Sequence, residues 1–335
     1  MTACTAHGMG DVLPVRAHGT WRNAAGHSLT AGKIAGRSQG PTRVVTRAID
    51  RPAPVRDGRC VRRLRAPLAR ELPTRLTAPL VAATFAALVW LEHRRPLRAP
   101  VEPKVPRSAR NLAMAVLSAA AIRATERPVT SRLADVVLRR RWGVDRTVAL
   151  PPWLEVAVAV LLLDYTLYVW HVLTHRVPLL WRFHEVHHAD RDLDASTALR
   201  FHFGEMILSV PWRAGQIAVI GATPLALSTW QALTLVAILF HHSNVRLPIR
   251  VERRLARIFM TPRLHGIHHS TVRDDTDANW GTIFSIPDHL HGTARHGVPQ
   301  AAIRIGTPTP RRSGLRLPDL LRRPFRAPLA GRSAF

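Results

Sequence analysis

The chain has 335 residues, 47 % of them hydrophobic, and a formal net charge of +26. That length admits two or three domains, and the charge first suggests nucleic acid or an anionic surface as partner. The charge is uneven, however: residues 1–75 carry 14 Lys+Arg against 4 Asp+Glu, and residues 302–335 carry 8 against 1. The mean hydropathy of −0.01 therefore averages basic tails with an apolar middle, which argues against a simple soluble globule.

The arginines are neither interleaved with aromatic residues nor set on a recognition helix, so no specific nucleic-acid partner is expected. Only Lys33 and Lys104 are lysines, a bias that fits arginine-favouring codon usage better than selection for phosphate contacts. Both cysteines, Cys4 and Cys60, lie in the first 75 residues. The middle can build neither a disulfide framework nor a thiolate metal site.

In chain order, residues 1–75 show no sustained helical or strand period, and no apolar stretch follows Met1 as in a secretory signal. They read as a basic disordered tail, or as an extension from a start placed too far upstream. Apolar runs then follow at Leu76–Leu91, Asn111–Ile122, Val156–Leu173, Met206–Ile220 and Leu225–Phe240. A straight crossing takes about 20 residues, so several runs are marginal alone. Five of them nevertheless predict an all-α, polytopic membrane protein over residues 76–301. The turn Gly221-Ala222-Thr223-Pro224 folds the fourth run back on the fifth. Residues 302–335, rich in Pro and Arg, read as a second disordered tail.

Fourteen of the 18 histidines fall between His171 and His296. His171 and His175 are four apart; His184, His187 and His188 form an H-x-x-H-H set, which His265, His268 and His269 repeat. His241 and His242 close the last apolar run. Positions i, i+3 and i+4 share a helix face, so each group aims two or three imidazoles one way. Each group begins where an apolar run ends or a hairpin returns, so all can converge in a histidine-rich helical cap at one membrane face. Neutral imidazole binds iron, copper, nickel and zinc. A single zinc takes about four ligands, whereas the three clusters plus His242 offer capacity for two ions.

The ordered motifs resemble the fatty acid hydroxylase/sterol desaturase superfamily. They are His171-x-x-x-His175; Trp181-Arg182-Phe183-His184-Glu185-Val186-His187-His188; Ala198-Leu199-Arg200-Phe201-His202; His242-Ser243-Asn244; His265-Gly266-Ile267-His268-His269; Asn279-Trp280-Gly281; and Asp288 with Gly292-Thr293. The resemblance covers roughly residues 76–300. It implies an integral membrane di-iron oxygenase that hydroxylates or desaturates a lipid such as a sterol, fatty-acyl chain or carotenoid. It further implies two iron ions held by His171, His175, His184, His187, His188, His242, His265, His268 and His269. His291 and Trp280 stand where other aromatic residues are usual, which leaves the subfamily open.

Imidazole ligands need acceptors on their second nitrogen. Candidates for that supporting role are Asp164, His202, His241, Asn244, Asp277 and Asn279. Asp164 precedes His171 by two helical turns, about 10.5 Å of rise, so it can reach only a histidine on another helix. With no Rossmann glycine fingerprint and no fused haem module, electrons must come from an external ferredoxin or cytochrome with its reductase. Arg250, Arg253, Arg254 and Arg257 offer a basic surface for such a donor or for lipid headgroups.

Two other readings compete. His184-Glu185-Val186-His187-His188 also matches the H-E-x-x-H signature of a zinc metalloprotease, with Glu185 as general base. A membrane haem electron carrier would use two axial histidines per ring. Both leave most of the histidines unexplained. Arginine-rich termini favour a cytosolic N-terminus, whereas cytosolic histidines require an even number of crossings before them. That parity is met if the short Asn111–Ile122 run does not cross.

Overall fold

The computed structural model describes residues 66–144, 150–307 and 316–326. The remaining residues, including Cys4, Cys60 and most of the expected N-terminal tail, lie outside that description. Among the described residues the fold is helical with no strand, only isolated bridges. The helices are α1 (Thr74–Arg94), α2 (Lys104–Ala121), α3 (Arg127–Arg140), α4 (Pro152–Arg176), α5 (Pro178–His188), α6 (Phe203–Ile220), α7 (Pro224–His242), α8 (Ile249–Leu255), α9 (Pro262–His268), α10 (Arg273–Thr276), α11 (Ile286–Leu290) and α12 (Leu317–Arg322).

The sequence sets these boundaries by familiar means. Pro73, Pro151 and Pro248 stand just before α1, α4 and α8, and α4, α5 and α7 carry proline in their first turn, where a missing N–H costs nothing. The Thr223 Oγ1 caps α7 by accepting from the Ala226 N–H at 3.2 Å. Gly221 ends α6 at φ +90°, a conformation that favours glycine. Gly143 also packs here, so closely that a Cβ on it would lie 2.2 Å from the Gly221 Cα.

Three helices are long and apolar enough to cross a membrane: α1, α4 and α7. They run the same way. The start of α1 meets the start of α7, where the Leu72 N–H donates to Ser228 Oγ at 2.9 Å. Their ends meet through Leu97 N–H and the Asn244 carbonyl at 2.8 Å. α4 ends at the same face, with His175 beside His268.

Running back in the opposite direction are α6 and a rod in which α2 continues through a π-helical segment, Ile122–Glu126, into α3. The rod begins beside the histidines, where Arg107 meets Asp190, and ends at the opposite face, where Gly143 meets Gly221. Asn111–Ile122, the run expected not to cross, lies within this rod, which is not among the three helices long and apolar enough to span a membrane. That run is the middle of a much longer helix, flanked by the polar turns that made it look short.

The apolar core packs Ala159, Leu163 and Leu167 of α4 against Ile217 of α6 and Leu227 and Trp230 of α7. A second, polar core fixes the histidine face. Buried Arg107 donates to Asp190 (2.9 Å) and Thr197 (3.2 Å) and also to Asp194. Arg200 donates to the Val186 carbonyl (3.0 Å) and Asn111 (3.1 Å), and Asn111 donates to Asp190 (2.9 Å). α2 is thereby tied to the segment that follows the α5 histidines.

Within 302–335, read from composition as a tail, residues 316–326 are folded. Leu320 is fully buried against Met114 and Val186, and the Leu321 carbonyl accepts from His202 Nε2 at 3.1 Å. The Arg and Pro content masked a short leucine stripe, Leu317, Leu320 and Leu321, at helical spacing.

Candidate metal centre

α4, α5, α7 and α9 end at one place, and each delivers histidines there. The structure gathers His171, His175, His184, His188 and His268 in one group and His187, His242, His265 and His269 in a second. Within each group the facing atoms lie within 4.8 Å of one another. The groups adjoin: the His188 and His269 rings stack at 4.3 Å and those of His184 and His187 lie 5.3 Å apart. Neither group contains a carboxylate or thiolate.

The donor chemistry passes a direct test. In the first group His175 and His188 have both ring nitrogens buried without a hydrogen-bond partner, and His184 and His268 have an unpartnered Nε2. In the second group Nε2 of His242 lies 3.0 Å from Nε2 of both His187 and His265, and Nε2 of His269 lies 3.1 Å from that of His265. A buried polar atom without a partner costs about 1–3 kcal/mol, and converging lone pairs repel one another. A cation at each group satisfies both. Burial, reinforced by the neighbouring imidazoles, also holds His187, His188, His265, His268 and His269 well below the ordinary histidine range. They are therefore neutral, as metal binding requires.

The second nitrogens of several histidines are held mostly by backbone. Nδ1 of His171 donates to the Trp280 carbonyl (2.8 Å), His268 to Ala278 (2.9 Å) and His241 to Thr282 (3.0 Å). His242 donates to Ile238, one turn back on α7, at 2.8 Å. Alternate carbonyls of 278–282 thus fix three imidazoles, and that segment is braced from both sides. The Asp288 carboxylate accepts the Trp280 and Gly281 N–H groups, each at 2.8 Å. Asp164 accepts those of Ile283 (3.1 Å) and Phe284 (3.2 Å).

The candidates for the supporting role divide accordingly. His241 packs on His265 at 4.1 Å between ring centres. Asp164 touches no histidine and acts on the brace instead. Asn279, at φ +56°, donates to the carbonyls of Leu264 (2.9 Å) and Arg295 (3.0 Å), holding the same loop against α9. Three others do not reach the cluster. Asn244 pairs with the backbone of Arg98, Asp277 faces Arg176 at 3.3 Å, and His202 caps α6 by accepting the Gly204 N–H at 2.9 Å.

Glu205 is a supporting residue absent from the sequence candidates: its Oε1 accepts from His184 Nδ1 at 2.9 Å, and its Oε2 is buried without a partner. Its place in the first turn of α6, three residues after His202, was the available signal. Glu185 pairs with Arg323 at 2.5 Å, away from the imidazoles. It is not placed as the base that the metalloprotease reading needs.

A cavity of about 920 Å³ reaches these groups, bordered by His171, His184, His187, His241 and His242 and walled by apolar residues of α1, α2, α6 and α7. An all-helical bundle with candidate membrane helices and two polyhistidine groups at the foot of an apolar cavity is a membrane protein with the donor set to hold metal ions. Residues 156–293 match the fatty acid hydroxylase family, which supports the resemblance to that superfamily.

Its curated relatives include the ornithine lipid hydroxylase OlsE of Rhizobium tropici, 32% identical over 157 residues (47% of this chain, 46% of the relative). The cholesterol 25-hydroxylase of Mus musculus is 28% identical over 143 residues (42% and 47%). The human alkylglycerol monooxygenase is 30% identical over 162 residues (45% and 34%). The matches thus span about half or less of these relatives' lengths. No solved structure matches the chain.

Proposed function

We propose that the protein is a membrane lipid hydroxylase whose nine clustered histidines hold two iron ions, His171, His175, His184, His188 and His268 on one and His187, His242, His265 and His269 on the other. The division of these imidazoles into two adjacent groups at the end of an apolar cavity carries the reading. The net reaction inserts one atom of O2 into a C–H bond and releases the other as water, consuming two electrons and two protons. Iron supplies the redox chemistry that activates O2. Hydroxylation is favoured over desaturation because the matched relatives are hydroxylases and a monooxygenase.

The chain's own residues do the rest. The carbonyls of Ala278, Trp280 and Ile238, with Glu205, hold the protons of His268, His171, His242 and His184 on Nδ1, so Nε2 faces inward. Trp280, 1 % exposed, closes the floor against His171, His175 and His268. Leu112, Leu167, Leu235 and Ile238 line the approach, bind an apolar tail and exclude water.

Electrons come from an external ferredoxin or cytochrome. Arg250, Arg253, Arg254 and Arg257, exposed at the histidine face, give an acidic donor a docking surface, and a cytosolic orientation of that face puts it within the donor's reach. The test is turnover of a cell lipid extract by iron-loaded protein with a chemical or enzymatic reductant under labelled O2. One labelled oxygen per product molecule is expected. Product lacking label, or proteolysis that survives iron removal, contradicts the reading.

A further inference from the structure

The cavity continues from the histidines to an end of different chemistry. Glu205, Ser209 and Arg213 line it at four-residue intervals along α6, hence on one helix face. Arg213 lies roughly 12 Å of helix rise beyond Glu205, which touches His184. The Arg213 guanidinium sits over the Trp230 ring at 4.8 Å and donates to Gln216 Oε1 at 3.1 Å. Among the described residues no carboxylate pairs with it. Glu126, from the π-helical segment packed on α6, lines the same end at 8 % exposure, and its carboxylate has neither a hydrogen bond nor an ion pair there. In the same wall Trp230 Nε1 and Thr234 Oγ1 are buried without partners.

Burying a charge is costly unless it is paired, and here Arg213 and Glu126 face one cavity as counter-charges, with Glu205 the other acid acting on Arg213, yet close no direct ion pair across it. They complement a ligand that brings the opposite pair. We propose that this end is a headgroup subsite for a zwitterionic lipid. The anionic group, carboxylate or phosphate, takes the Arg213 fork, and the protonated amine takes Glu126. The indole N–H of Trp230 and the Thr234 hydroxyl complete the polar contacts. The apolar tail then runs toward the histidines, so the carbon presented there belongs to the tail, on the order of 12 Å from the head. Headgroup binding stands independently of the oxygenase reading; only the fate of the tail rests on it.

Equilibrium binding to the detergent-purified, metal-loaded protein tests this with three amphiphiles of equal tail length. They are N-dodecanoyl-lysine (acid and amine), N-dodecanoyl-glycine (acid only) and dodecanol (neutral). The wild type should bind them in that order. Arg213→Gln should weaken both acids about 10- to 100-fold, the effect of a charged hydrogen bond, and leave dodecanol unchanged. Glu126→Gln should weaken only the lysine derivative, and Arg213→Lys should retain part of the preference.

Equal binding of all three by the wild type overturns the proposal, and that comparison needs no variant. So does an Arg213→Gln protein that loses thermal stability with its affinities intact. Oxygen incorporation is read on the same sample. Headgroup preference without incorporation overturns the oxygenase reading and supports the subsite. Incorporation without preference does the reverse, and oxygen found in the head overturns the proposed orientation.

Discussion

A histidine in this centre is defined by two atoms with different fates. One nitrogen faces its neighbours across the cluster, and in several residues the other is tied to a carbonyl or to Glu205. The first was legible in the sequence, because i, i+3 and i+4 spacing on helix ends fixes which imidazoles point together. The second was largely not, because the acceptors are backbone carbonyls of residues 278–282, and any residue carries a carbonyl. The sequence did mark Asp164 and Asn279 as unusual. It could not show that they hold the loop rather than the histidines.

Glu205 is the side-chain exception, and it carries a prediction. Glu205→Gln keeps an acceptor for His184 Nδ1 but removes the charge. It should retain folding and most of the metal while lowering turnover roughly 10-fold or more, as loss of such an outer partner does. Iron analysis beside steady-state rates separates this from simple loss of metal.

Among the elements, α4 and α7 were plain from their apolar runs, and the α6–α7 hairpin from Gly221 to Pro224. The rod from Lys104 to Arg140 was not. Its central run is short, and the buried polar residues that anchor it, Arg107 and Asn111, look like surface residues until their partners across the fold are known. Arg107 is 3 % exposed among Asp190, Asp192 and Asp194. Although burial opposes ionisation of Asp190, Arg200 and Arg107 hold its carboxyl below the usual carboxylate range. Arg107→Ala strands these carboxylates in the interior and should cost about 3–5 kcal/mol. Thermal melts in detergent measure this, and a shift within error of wild type contradicts the anchoring role. α12 was hidden for a similar reason. Its leucine stripe is embedded in arginine and proline that suggest disorder.

At the scale of the molecule, three parallel apolar helices, with α6 and the α2–α3 rod running back between them, put the start of α1 and the histidines at opposite ends of the bundle. The arginine content of the first 75 residues therefore cannot be used to place the histidines on the same side as the N-terminus. Single cysteines introduced as Trp142→Cys and Arg257→Cys, after replacing Cys4 and Cys60, should react with an impermeant reagent from opposite sides of sealed vesicles. Labelling of both from one side contradicts the placement of Trp142 and the histidines at opposite faces of the membrane.

The central claim is that two metal ions sit in the two histidine groups. The most direct test is metal analysis of the detergent-purified protein before and after His268→Ala. The account predicts about two irons per chain, falling in the variant as the five-histidine group is broken. One stoichiometric zinc per chain, or an iron content indifferent to His268→Ala, would contradict it.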